Sequence, residues 1–182
     1  MQHLIKDLLV YSRLATHRDP FEPIPLDQVL ADVRNDLEMV ISEKQARIQV
    51  GQLPTVLGND SRLRQLFQNL IANALKFQQP GQQPVIDIEA RLAQPAELPD
   101  RLREPDGRHF WLVTVADNGL GFDEKYKGRI FTPFQRLHDG AAYSGTGIGL
   151  AICYRVTESH GGAIDVSSQP DKGATFKVFL PM

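Results

Sequence analysis

The chain reads as an α/β protein, a layered sheet with antiparallel strand pairs and helices packed on it. Three observations predict this class. Segments with a helical apolar period are interspersed with segments whose apolar residues alternate, and the two kinds do not strictly take turns as an all-parallel sheet would require. A length of 182 residues suits about one domain. Apolar residues make up 42% and charged residues 23%, enough for a core and far from a disordered or collagenous composition.

The elements follow in order. Met1 to about Thr16 has Leu4, Leu8, Tyr11 and Ala15 on a heptad seam widened by Ile5 and Leu9, which predicts an amphipathic helix that packs on the domain behind it or on another chain. Residues 17–25 read as a linker, because Pro20, Pro23 and Pro25 exclude helix. The globular domain is then expected over 26–182. Leu26 to about Lys44 is predicted helical, with Val29, Leu30, Val33, Leu37, Val40 and Ile41 on one face. Ala46–Val50 and Thr55–Leu57 read as short strands, and Asp60 offers an N-cap to a helix over Ser61 to about Phe77. Pro84–Ala93 alternates as a strand. Gln94–Gly107 is polar and carries prolines, so it reads as a surface excursion. Phe110–Ala116 has the composition of a central strand, Ile148 to about His160 that of a helix stopped by Gly161-Gly162, and Ala163–Ser168 and Ala174–Leu180 close the chain as strands.

Charge and special residues exclude several classes. Lys and Arg number 20 against 22 Asp and Glu, a net charge of −2, which leaves no basic footprint for nucleic acid. The single cysteine, Cys153, cannot form an internal disulfide, and no Cys/His spacing suits zinc. No apolar run approaches the ~20 residues of a bilayer span. Lys6, Asp7 and Arg13 interrupt the first apolar pattern, unlike a signal peptide. A soluble, cytoplasmic domain with no nucleic-acid or membrane contact of its own is expected.

Three stretches point to chemistry. On the helix Ser61–Phe77, Leu63, Leu66, Phe67, Leu70, Ile71, Ala74 and Leu75 form the core face, while Gln65, Asn69, Asn73 and Lys76 share the opposite arc. A solvated face would favour Glu, Lys or Gln over mid-helix Asn. Two Asn four residues apart instead offer neutral oxygens to a Mg²⁺ that keeps its waters and leans on phosphates, and Lys76 adds a positive charge. The second stretch, Asp117-Asn118-Gly119-Leu120-Gly121-Phe122, puts a carboxylate and alternate glycines at the end of a buried strand. That arrangement is a turn or a seat for a flat ligand bearing an amino group. The third, Ser144-Gly145-Thr146-Gly147-Ile148-Gly149-Leu150, feeds glycine-rich backbone into a helix start, where unpaired N–H groups attract anions. No Gly-Lys-Ser/Thr follows, and Leu150 stands where a dinucleotide fingerprint needs Gly.

In this order the three stretches resemble the catalytic, ATP-binding domain of sensor histidine kinases, in the Bergerat-fold superfamily shared with DNA gyrase and MutL-type ATPases. Gln65–Phe77 resembles the N box, Asp117–Gly121 the first glycine box, Phe131-Thr132-Pro133-Phe134 the F box and Gly145–Leu150 the second glycine box. Gly173-Ala174-Thr175-Phe176 resembles the final glycine-Thr element, and Asp36-Leu37-Glu38 through Leu53-Pro54 is similar to the phytochrome- and PAS-linked branch.

The resemblance implies a two-layer sandwich, a mixed sheet backed by three helices, with ATP on the helical side. It implies that Asn73 ligates Mg²⁺ with Asn69 in support, and that Lys76 contacts phosphate. Asp117 would accept from the adenine amino group with Thr175 helping through water, Gly119 and Gly121 would admit the ring, and Gly145, Gly147 and Gly149 would wrap the phosphates. Phe77, Ile130, Thr146, Ile148 and Leu150 complete the implied ATP-binding set. Gln135–Ser144 would be an ATP lid, with Arg136 and His138 facing the γ-phosphate. Met1–Thr16 resembles the end of the second dimerisation helix of a homodimeric parent, whose other partners would be its own phosphotransfer domain and a response-regulator receiver domain.

One departure stands out. His3 and His17 lack the His-acid-x-x-x-x-Pro context of a phosphoacceptor, so the chain is expected to be a fragment that holds the kinase without its first substrate. Two other readings remain, a Bergerat-fold ATPase and a non-catalytic nucleotide-binding module. The ATPases resembled here place a general-base Glu four residues before the Mg²⁺ Asn. Asn69 holds that position and cannot take a proton from water.

Overall fold

The computed structural model describes residues 20–103, 107–135, 137 and 145–182. The expected helix Met1–Thr16 therefore lies outside the described residues. Seven strands and four α-helices are described: β1 (Glu22–Pro25), α1 (Leu26–Asp36), α2 (Glu38–Glu43), β2 (Arg47–Val50), β3 (Thr55–Gly58), α3 (Asp60–Lys76), β4 (Val85–Leu92), β5 (Phe110–Asp117), α4 (Gly149–Ser159), β6 (Ala163–Ser168) and β7 (Ala174–Pro181).

Five strands form one sheet in the order β2-β4-β5-β7-β6, with β5 at its centre as its composition predicts. The β2–β4 pair is parallel and the other three are antiparallel, so the sheet is mixed. Side chains alternate along a strand. Val113 and Val115 of β5 accordingly join Phe176, Val178 and Leu180 of β7 under the helices, together with Leu63, Leu66, Phe67, Leu70 and Ile71 of α3. The opposite face carries a smaller cluster of Phe110, Leu112, Ala163 and Phe179. Leu98 and Leu102 of the 94–107 excursion pack on it, through two short 3-10 turns. The excursion is thus a cover for one end of the sheet.

Three local features differ from the sequence reading. The segment 26–44 is two helices, because the chain turns at Leu37 (φ −101°, ψ 6°) after the weak helix formers Asn35 and Asp36. Beyond that turn Leu37 and Ile41 still pack against the edge of the core, while Val40 lies at the surface and Met39, off the apolar face, is 86% exposed. Asn59, not Asp60, caps α3, its Oδ1 accepting from Arg62 N at 3.0 Å and from Ser61 Oγ at 2.8 Å. Glu22–Pro25, read as linker, pairs with β3 as a two-stranded sheet in which Ile24 and Val56 are both buried. Pro23 and Pro25 are tolerated there because an edge strand leaves half its N–H positions unused.

His160 ties these pieces together. It is buried at the end of α4. Its Nδ1 donates to Val156 O at 2.7 Å, and its Nε2 accepts from Asn59 N at 3.1 Å. Phe21 stacks on the ring at 4.6 Å. Both nitrogens are used only by the neutral ring, since a second proton would remove the acceptor for Asn59. Burial holds the imidazole below its ordinary 6.5 against the opposing Val156 hydrogen bond, and the charge of Arg62 pushes it down further. The unfolded chain therefore binds the proton more readily. The His160 contribution is whole above pH 6.5 and is lost as pH falls toward the lowered folded value. Urea titrations should show wild type losing stability relative to His160→Gln as pH drops below 6.5, with a constant difference above it.

Candidate functional site

The three sequence stretches converge on the C-terminal half of α3. The predicted core face of this helix is buried without exception, which turns Asn69, Asn73 and Lys76 away from the sheet. Lys76 Nζ lies 4.7 Å from the centroid of the Phe77 ring. A Cβ placed on Gly145 would come within 2.6 Å of the same ammonium, so the third stretch runs directly past the Lys76 head group. Asn69 Nδ2 donates to Gly149 O at 3.2 Å, which fixes the start of α4 against the middle of α3. Asn73 differs from its neighbour. Its backbone carbonyl accepts from Phe77 N at 3.0 Å, but its side-chain amide has no protein partner among the described residues.

The second stretch meets α3 through backbone. Leu120 N donates to Phe77 O at 2.9 Å. A Cβ on Gly119 would sit 2.2 Å from that carbonyl oxygen, which no side chain survives. Gly121 has φ +58°, and a Cβ there would meet Gln169 O at 2.0 Å. Gly173, with φ +80°, would strike Asp117 O at 1.8 Å. Close approach of protein backbone is thus the immediate reason for Gly119 and Gly121.

Asp117 ends β5 on the same face as Val113 and Val115, so its carboxylate enters the helical layer. Oδ1 accepts from Gly119 N at 2.8 Å and Ala174 N at 3.3 Å. Oδ2 has no hydrogen bond among the described residues. Burial raises the carboxyl from 3.8 to about 6, in spite of those two N–H donors, which act in the opposite direction.

Several residues fall elsewhere than the sequence suggests. Thr175 pairs with Ala116 and Ser167, and strand alternation puts all three on the sheet face away from Asp117. Residue 174 holds the place beside the carboxylate, and as alanine it contributes only its N–H. Ile130 and Ile148 are buried in the core that backs the site. Thr146, Gly147 and Leu150 border it, and Gly147 O accepts from Phe134 N at 3.0 Å. Arg136 and His138 lie outside the described residues, with most of 135–144.

Sequence reasoning also missed three polar supports. Asn118 accepts from Val85 N at 2.8 Å and donates to Gln83 O at 3.0 Å, fastening the start of β4. Gln79 Nε2 donates to Gly119 O at 3.2 Å and Asp171 O at 2.7 Å. Ser168 Oγ accepts from Phe122 N and donates to Gly173 O, both at 2.9 Å. Only Asn118 carried a sequence signal, as a hydrogen-bonding residue beside Gly119; Gln79 and Ser168 have no glycine neighbour.

A mixed sheet carrying a buried carboxylate beside glycine backbone, with asparagines and a lysine on the covering helix, defines a nucleotide-binding domain of the Bergerat type. The chain belongs to the family described as histidine kinase-, DNA gyrase B- and HSP90-like ATPases, whose model matches residues 58–182. Its relatives include a phytochrome and a sensory kinase. Cyanobacterial phytochrome A from Nostoc sp. is 42% identical over all of this chain and 22% of that protein. The adaptive-response sensory kinase SasA from Prochlorococcus marinus is 34% identical over 98% of this chain and 46% of that protein. The chain thus spans under half the length of these relatives. ShkA, solved full-length in complex with AMPPNP, superposes with a TM-score of 0.75 at 29% identity, over 98% of this chain and 35% of that one. The Acinetobacter baumannii histidine kinase AdeS shares the fold at a TM-score of 0.74 and 20% identity, over 100% of this chain and 78% of that one.

An ionised Asp117 costs stability. Its folded value lies above the unfolded one, so its contribution is fully present below pH 3.8 and is lost as pH rises through about 6. Asp117→Asn keeps the oxygen that serves Gly119 and Ala174 and never ionises. Denaturant titrations at about pH 8 should show the variant more stable by roughly 3 kcal/mol. The gain should vanish in acid, below the ordinary carboxyl value.

Proposed function

We propose that this chain is the catalytic domain of a sensor histidine kinase, transferring the γ-phosphoryl group of Mg-ATP to a histidine on the dimerisation domain of its parent. The phosphoryl group would then pass to an aspartate on a response-regulator receiver domain. The parent would act as a homodimer, with this domain in the cytoplasm. The observation that carries the reading is the pairing of a buried acceptor, Asp117 Oδ2, with a cation and glycine backbone held around Lys76. One suits an adenine amino group and the other suits phosphates. The relatives and the AMPPNP complex support ATP as the nucleotide.

Each residue has a definite task in this reading. Asp117 accepts from the adenine amino group through Oδ2. Lys76 and the N–H groups of the Gly145–Gly149 run face the phosphates, where charge is spread during transfer. Asn73 holds Mg²⁺ through its amide oxygen. The fit is chemical: the oxygen is neutral and unclaimed by protein, and no group of three or more His, Cys, Asp or Glu competes for a cation among the described residues. Bound there, Mg²⁺ would neutralise phosphate charge. Phosphoryl transfer is mostly positioning and charge stabilisation, so the remaining need is an acceptor brought in line. Hydrolysis is disfavoured because Asn69 stands where a water-activating base is required, and its amide is engaged with Gly149.

Calorimetry should find Asp117→Ala and Asn73→Ala weakened for Mg-ATP about 10- to 100-fold, as expected for losing a paired group in a partly buried site. Wild-type affinity should also drop as pH falls through about 6, where Asp117 gains a proton and stops accepting. Added dimerisation domain from the parent should be phosphorylated in trans, giving an acid-labile, alkali-stable product. Steady phosphate release without that acceptor would instead favour the ATPase reading.

A further inference from the structure

Asn69 and Asn73 are the same residue type, one turn apart on one face of α3, yet they stand in different situations. Asn73 keeps its side-chain amide free of protein partners among the described residues. Asn69 spends its donor on Gly149 O at 3.2 Å, 80 positions along the chain. Gly149 is the first residue of α4, and the glycine run 145–149 enters the helix through it. A second contact reinforces the first. Cys153, one turn further along α4, directs its thiol at Leu66 O, with Sγ 3.6 Å away. Contacts at Gly149 and Cys153 therefore fasten the first two turns of α4 to a single turn of α3. A mid-helix asparagine is intrinsically unfavourable, and this contact gives it a reason.

We propose that Asn69 is a positioning residue, a clasp that sets the first turn of α4, and with it the phosphate-facing backbone, independently of any metal. The clasp rests on the kinase-domain reading only for its purpose, because the contact itself is made within the protein. Backbone N–H groups stabilise phosphate charge only when held at the right distance and angle. Lys76 beside Gly145 borders the near end of the same run, and Asn69 governs its far end.

The test uses the 182-residue chain with two variants. Asn69→Ala removes donor and oxygen, whereas Asn69→Asp keeps oxygens for a metal and removes the donor. The first reading is amide hydrogen exchange without nucleotide and with metal chelated. Ile152 N donates to Ile148 O at 2.9 Å in the first turn of α4. Its exchange, and that of Cys153, should quicken about tenfold in both variants, while β5 amides stay unchanged. The second reading is affinity. ATP should bind both variants about tenfold more weakly, with Mg²⁺ or without it, while AMP binds as to wild type. A general loss of structure would weaken AMP equally and quicken exchange in β5, and would overturn the proposal. So would an Asn69→Asp variant with wild-type exchange, or a loss of ATP affinity seen only with Mg²⁺, either of which makes Asn69 a metal ligand. Failure of the wild type to bind ATP would sink the kinase-domain reading alone, since the exchange measurement reads the clasp without nucleotide.

Discussion

Asp117 Oδ1 holds two backbone N–H groups, one from Gly119 just beyond it and one from Ala174, 57 positions away. This closure sets how near the chain must come to itself at the end of the central strand. Gly173 lies against the Asp117 carbonyl, Gly121 against Gln169, and Gly119 against the end of α3. Because Phe77 O receives Leu120 N, α3 is drawn to the same point, and the polar face of the helix takes its height above the sheet from it. The carboxylate is left with one oxygen saturated and one open, in surroundings that burial makes unfavourable to charge. Part of the folding energy is thereby held as an unmet demand for a hydrogen-bond donor.

Among the described residues the rest of the site carries few charges. The described side chains beside the glycine run are Lys76, at Gly145, and the neutral amide of Asn69, at Gly149. A neutral amide can serve phosphate and cation together without competing for either. A carboxylate at 69 or 73 would bind a metal more strongly and repel phosphate. Asparagine avoids that conflict, and the same neutrality lets one of the two amides turn to the protein instead of the ligand.

Much of this was legible beforehand. The core face of α3 and the central position of β5 follow from periodicity and residue type, and the meeting of the three motif stretches was implied by the family resemblance they carry. What escaped depends on tertiary context. The apolar period from Leu26 to Lys44 is continuous, but periodicity says nothing of where the core ends, so Val40 reads as buried and is not. Prolines at 23 and 25 forbid helix without forbidding an edge strand. Thr175 carries the more functional-looking side chain, yet register gives the place beside Asp117 to Ala174, whose contribution is a backbone group invisible to residue type. The supports from Asn118, Gln79 and Ser168 act on backbone carbonyls and amides that only the folded chain brings near.

His160 gives the helical pair a mechanical asymmetry. The start of α3 meets the end of α4 there, so the two helices run antiparallel, with the imidazole joining their ends remote from Asn73. α3 has 17 residues, so its far end stands about 25 Å away at ~1.5 Å per residue. Phe21 lies flat on the same ring, immediately before the strand that leads into the domain. One ring thus joins the segment leading into β1, the start of α3 and the end of α4, at the end of the helical pair remote from Lys76.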